Sequence, residues 1–262
     1  MDLITTGAAL AVGKKIFGKT LDVISSDIAN LYQKGRDKII EKATIKIVNI
    51  DDGKTANLRV TRDVFWIGSF TDEAICAEYF GGILASSRSE DGKDDSGVYY
   101  VDIIKSLSSK QLLLHYVIYS SLNEILSSNP EKSKLNPGQA TELQRESLFL
   151  STNELSKIVD DNDFGRDLHA LHAKGLIGDF QTGSHKLKNE QEVPNLKVSP
   201  TSLGVQLYAV AHNKLTEWRS FATVNFGEFD DIELPNFYGQ NVQQLLDRAG
   251  IKDEEVSEKK EK

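Results

Sequence analysis

Asp163-Phe164-Gly165-Arg166-Asp167-Leu168-His169-Ala170-Leu171-His172-Ala173-Lys174-Gly175-Leu176-Ile177-Gly178-Asp179-Phe180 is the stretch on which the reading of the fold turns. Phe164, Leu168 and Leu171 recur at helical spacing, so one face of a short helix is apolar. Asp163 is placed to cap its start. Lys174-Gly175-Leu176 supplies its stop, because Gly accepts a left-handed conformation and the next Leu can fold back onto the helix. Residues 176–180 then read as a strand, 181–195 as a polar loop and Leu196-Lys197-Val198 as a second short strand. Ser199-Pro200-Thr201 opens a further helix with Pro at its first position, and Leu203, Leu207 and Val210 line one face. Upstream, Ser151-Thr152-Asn153-Glu154 has the spacing of a capping box before Leu155, Ile158 and Val159. Helix, turn, helix, hairpin, helix is the order of a winged helix.

Outward from this module the chain is helical. Residues 71–87 are apolar on two adjoining faces, with Ile75, Tyr79 and Ile83 on one and Cys76, Phe80 and Leu84 on the other. Ala77, Gly81 and Ala85 form a third row of small side chains, so the segment belongs inside a core, with no chemistry of its own. Ser108-Ser109-Lys110-Gln111 is a capping box opening a helix with Leu112, Leu113, Tyr116, Tyr119 and Leu122. Phe17, Leu21, Ile24, Ile28 and Leu31 form a heptad-like stripe, and Lys14, Lys15 and Lys19 beside it allow peripheral membrane contact. Residues 44–50 alternate like a short strand, while 58–70 fit either a helix or a strand. Pro130 and Pro137 mark residues 127–138 as a linker. The expected organisation is mainly α. An N-terminal helical bundle (1–128) precedes a winged-helix-like α+β module (139–225), a C-terminal extension (226–250) and a tail (251–262) expected to be disordered from its charge.

The chain has 262 residues, ample for a real core, and a formal net charge of −8, which argues against a surface built throughout for phosphate backbones. Cys76 is the single cysteine, so no internal disulfide and no cysteine-based zinc site can form. The apolar run at residues 3–12 is too short to span a bilayer and lacks the basic flank of a signal peptide. A cytoplasmic protein is expected.

Few residues suggest chemistry. Gly13-Lys14-Lys15-Ile16-Phe17-Gly18-Lys19-Thr20 satisfies a phosphate-loop pattern, with Gly13, Gly18, Lys19 and Thr20 as its nucleotide-binding positions. A strong preceding strand is missing, and a coincidence at a helix start is the better reading. His169 and His172 share a helix face, but no ligand string surrounds them, and no metal or other cofactor is expected. No serine has the neighbours of a nucleophile, and Cys76 reads as a small buried hydrophobe. If the module contacts DNA, Arg166 and His169 face the major groove, and His185, Lys186 and Lys188 lie near phosphates on the wing. Asp160, Asp161, Asp163 and Asp167 at the start of that helix oppose such contact.

Two segments carry a family likeness. Ala77-Glu78-Tyr79-Phe80-Gly81-Gly82-Ile83-Leu84-Ala85-Ser86-Ser87 followed by Tyr100-Val101-Asp102-Ile103-Ile104-Lys105-Ser106-Leu107-Ser108 resembles the core of the bacterial abortive-infection alpha proteins. Residues 17–22, 168–177 and 199–207 fall where that family has similar segments, and an acidic insert at 90–95 departs from it. The likeness covers most of residues 14–215. It implies a role in phage defence and transfers no catalytic residue. The function expected is a non-catalytic defence protein acting on a protein partner or as a homo-oligomer. A winged-helix DNA-binding regulator is the alternative.

Overall fold

The computed structural model describes residues 28–71, 73–160 and 163–251. Helix α1 (Ile28–Ile45) runs unbroken through Gly35. A Cβ there would collide with the carbonyl oxygen of Ser69, so glycine lets the end of α2 (Leu58–Gly68) close onto it. Residues 44–50 do not form the expected strand: α1 continues to Ile45 and a turn follows, leaving Ile45, Val48 and Ile50 exposed. Their alternation has no buried face behind it. The ambiguous 58–70 stretch is helical because Asn57 caps it, accepting from the backbone N–H groups of Arg59 and Val60. A two-residue ladder, β1 (Thr55–Ala56) with β2 (Arg88–Ser89), ties the start of α2 to the end of α3 (Ala74–Ser86).

Helix α3 is buried from Ile75 to Ala85. Its small residues do what their spacing suggests. A Cβ on Gly81 would lie 2.9 Å from the backbone of Ala43 in α1. One on Gly82 would collide with the carbonyl oxygen of Ala211, at the end of α9 (Ser202–Ala211). After α4 (Gly97–Ile104), helix α5 (Ser109–Ser127) starts with both bonds of the Ser108–Gln111 capping box in place. Helix α5 anchors the second half of the chain. The Tyr119 hydroxyl donates to Leu176 O at 2.6 Å, and the Asn123 amide to Phe221 O and Val224 O at 2.7 and 2.8 Å. Tyr116, Tyr208, His212, Phe226 and Phe229 stack beside it, with Tyr116 and Phe229 nearly parallel at 4.4 Å.

The linker region holds a 3-10 turn (Pro130–Lys132) and the short α6 (Ala140–Leu143), and apolar side chains from before and after it belong to one continuous core. Strand β3 (Leu148–Ser151), too short to show a period, leads into α7 (Thr152–Val159) and α8 (Gly165–Ala173). Next comes an antiparallel hairpin of β4 (Ile177–Lys186) and β5 (Glu192–Pro200). With β6 (Tyr238–Gly239) the sheet order is β4-β5-β3-β6, Leu148 facing Val198 and Ser151 facing Asn195. The expected loop at 181–195 is therefore mostly strand. Beyond Phe180 the β4 ribbon is largely exposed on both faces, so it carries no apolar alternation to read. Pro200 ends β5 rather than opening a helix; Thr201 caps α9 through Gly204 N–H. A 3-10 turn (Leu215–Ser220) and α10 (Val242–Arg248) complete a mainly helical chain with a small antiparallel sheet. Among the described residues no helix is long and apolar enough to cross a membrane.

Candidate functional site

Helix α8 ends as its sequence dictates. Gly175 has φ +69°, its N–H donates to His172 O at 2.8 Å, and Leu176 N–H reaches back to Leu171 O at 2.9 Å. At its start Phe164, rather than Asp163, stands at the N-cap position. Phe164, Leu168 and Leu171 face inward, while Arg166, His169 and Ala173 are exposed. Asp167, counted among the outward carboxylates, is buried and accepts from the Gln111 amide at 2.9 Å. His169 packs edge-on against Phe180 at 4.9 Å, and the His172 ring bonds Gly178 O at 3.0 Å.

On the hairpin, His185 is half-buried and Lys186 and Lys188 are exposed. Lys186 lies opposite Glu192 in the ladder and 3.5 Å from Glu190. Six residue steps of strand take the chain from Phe180, beside His169, to Lys186, roughly 20 Å when extended. The two sets therefore occupy separate ends of a ribbon rather than one cluster. Asp163, Asp179, Glu190 and Glu192 are exposed among them. Gly13, Gly18, Lys19 and Thr20 and the start of the amphipathic stripe lie outside the described residues. Among those described, no three His, Cys, Asp or Glu side chains gather as metal ligands. Cys76 is buried, and burial pushes its thiol up, away from reactivity.

A different surface, at α2, carries several large exposed apolar side chains. Leu58 and Trp66 on α2 are 82% and 69% exposed. Trp66 meets Phe70 edge-on at 6.1 Å, and Phe70 lies 5.9 Å from Tyr32 of α1. Both signs of charge flank them: Arg62 pairs with Asp63 at 2.6 Å and Arg59 with Asp95 at 3.3 Å.

The sequence reading missed a charged cavity of about 270 Å³ under α1, lined by Lys42, Lys46, Glu78, His212, Lys214 and the loop at Phe226–Asp230. Glu78, the one charge in α3, is 3% exposed and ion-pairs with Lys42 (2.8 Å) and Lys46. Lys42 also reaches Asp231 at 2.6 Å. Burial pulls the Lys42 ammonium down, but its bonds to Asp231 and Glu78 outweigh that and hold it above the usual lysine range. Lys46 is pulled down by burial, with Glu78 opposing. Its ammonium stands 4.6 Å from the Phe229 ring centroid, and that of Lys214 stands 5.2 Å from Phe226. His212 is 8% exposed and stacks on Phe229 at 4.4 Å, and its Nε2 has no hydrogen-bond partner among the described residues. Burial, then Lys46 and Lys214, hold its imidazole neutral, with its pKa down to about 3. The signal available in sequence was Glu78 itself: a carboxylate in a helix apolar all round needs cationic partners. No protein-family model, no curated protein and no solved structure matches the chain.

Proposed function

We propose that this is a non-catalytic protein that acts through protein contacts, and that α2 carries the contact between two copies of the chain. The exposed Leu58 and Trp66 carry this reading, since side chains of that size and rigidity anchor interfaces when desolvated. A two-fold interface must be self-complementary, and a face on which Arg59, Arg62, Asp63 and Asp95 set both signs of charge beside Leu58 and Trp66 meets that condition. The setting is cytoplasmic phage defence, which rests on the resemblance to abortive-infection alpha proteins.

The helices before residue 128 are read as a bundle. The β3-α7-α8-β4-β5 order, with β3 paired to β5, is read as a winged-helix-like module, for which strand order and register are the support.

Light scattering on the eluting protein tests the contact: a dimer is expected, with Leu58→Ser/Trp66→Ser monomeric at an unchanged melting temperature. A monomeric wild type at tens of micromolar would remove the proposal. Phage plating tests the setting: expression should lower plaque counts and the double variant should not, whereas equal counts with wild type exclude defence against that panel.

Exposed Arg166 and His169 with the hairpin's His185, Lys186 and Lys188 favour duplex DNA as a second reading. Fluorescence anisotropy at low salt, with Arg166→Glu beside it, decides the matter. Binding that falls steeply with salt and is lost in the variant would establish it. The mixed charge of that face makes no binding the expected result.

A further inference from the structure

The cavity between α1, the end of α9 and the loop at Phe226–Asp230 has no role in the contact reading above, and its charges are layered by depth. Lys42 and Lys46 have side chains only 13% and 10% exposed, beside buried Glu78 and His212. Lys214 is half-buried, with its ammonium over the Phe226 ring. Glu228 and Asp230 at the mouth are exposed. In the buried layer, among the described residues, Glu78 is the only carboxylate against the ammoniums of Lys42 and Lys46, with Lys214 above them. Lys42 shares its charge with Asp231, whose side chain is 58% exposed and well solvated. The inner layer is thus cationic and the outer layer anionic. His212 contributes its stacked ring to the cavity wall, with its Nε2 sealed from solvent.

We propose that this cavity binds a small zwitterion, an amino acid or a short amino carboxylate. Its carboxylate lies inward toward Lys46 and Lys214, and its ammonium outward toward Glu228 and Asp230. A simple anion would satisfy the inner layer but meet two carboxylates at the mouth, and a simple cation would be repelled by the floor. A zwitterion satisfies both layers and adds no net charge to the interior. At about 270 Å³ the space is at the small end of ligand sites and suits a compact molecule rather than a nucleotide.

The test uses the full chain and matched solutes at one ionic strength. Glycine, β-alanine and γ-aminobutyrate are compared with propionate, which keeps only the carboxylate, and propylammonium, which keeps only the amine. The melting midpoint should rise saturably with at least one amino carboxylate, less with propionate and not with propylammonium. Lys214→Met should abolish the rise for every solute while leaving the far-ultraviolet circular dichroism unchanged. Glu228→Gln/Asp230→Asn, whose side chains are exposed, should lower the response to the amino carboxylate to that of propionate. The proposal is overturned if no amino carboxylate gives a saturable shift. It is equally overturned if Lys214→Met responds as wild type does, which marks general solute exclusion, or if propylammonium shifts the midpoint as strongly.

Discussion

Glu78 shows how a single residue can be conspicuous in sequence and still withhold its role. It interrupts an otherwise apolar helix, yet its partners Lys42 and Lys46 sit on and just beyond the last turn of α1, where lysines already suit the helix dipole. Nothing local links Lys46 to a carboxylate 32 residues away. Once paired, the three are coupled, because removing one partner leaves the others charged and buried. Glu78→Leu should therefore destabilise the fold by about 3–5 kcal/mol, the usual range for breaking one side of a buried pair. Adding Lys46→Met should recover part of that loss, since an apolar pair needs no counter-charge. Urea unfolding of the single and double variants reads both effects, and a double variant worse than the single one would show that Lys46 is not held by Glu78.

At the scale of elements, what was legible was what is decided within a few residues. The Ser108–Gln111 box and the Gly175 stop of α8 form as written, because each is a contest among near neighbours for one helix end. The length of the hairpin and the helical state of residues 58–70 were not legible. The outer half of β4 has no apolar face, and α2 depends on Asn57, a cap visible only once the backbone is known to turn there. Ser151, half of a further expected box, does accept from Glu154 N–H, though at 3.4 Å. Two glycines separate local demand from mere presence. Gly175 has φ +69°, so Gly175→Ala forces a left-handed alanine and should cost about 1–2 kcal/mol. Gly183 on the ribbon has no such angle, and a Cβ there meets nothing within 4 Å. Gly183→Ala should change stability by less than about 0.5 kcal/mol. Thermal melts of the two variants compare them directly, and equal losses would place Gly183 in a packed site.

For the whole molecule, one aromatic core joins the helices, and it carries two histidines that fold neutral. His115 on α5 bonds the Tyr79 hydroxyl at 2.5 Å, and His212 at the end of α9 stacks on Phe229. Burial lowers both to about 3, against a backbone contact at Gly204 for His115 and with Lys46 and Lys214 adding to the effect for His212. In the unfolded chain each imidazole takes its proton near pH 6.5. The folded pKa lies below the unfolded one, so the unfolded state binds more protons throughout the interval. The stability contributed is fully present above about pH 6.5 and is lost as pH falls from there toward 3. Each histidine alone gives a slope of about 1.4 kcal/mol per pH unit within that window. Unfolding free energies in urea should accordingly fall well before the carboxylates titrate, most clearly between pH 6 and 5. Ring nitrogen resonances of His115 and His212 should keep their neutral positions at pH 5 in the folded protein. A titration of either ring near pH 6.5 in the native state would mean that water reaches it and that the aromatic core is open there.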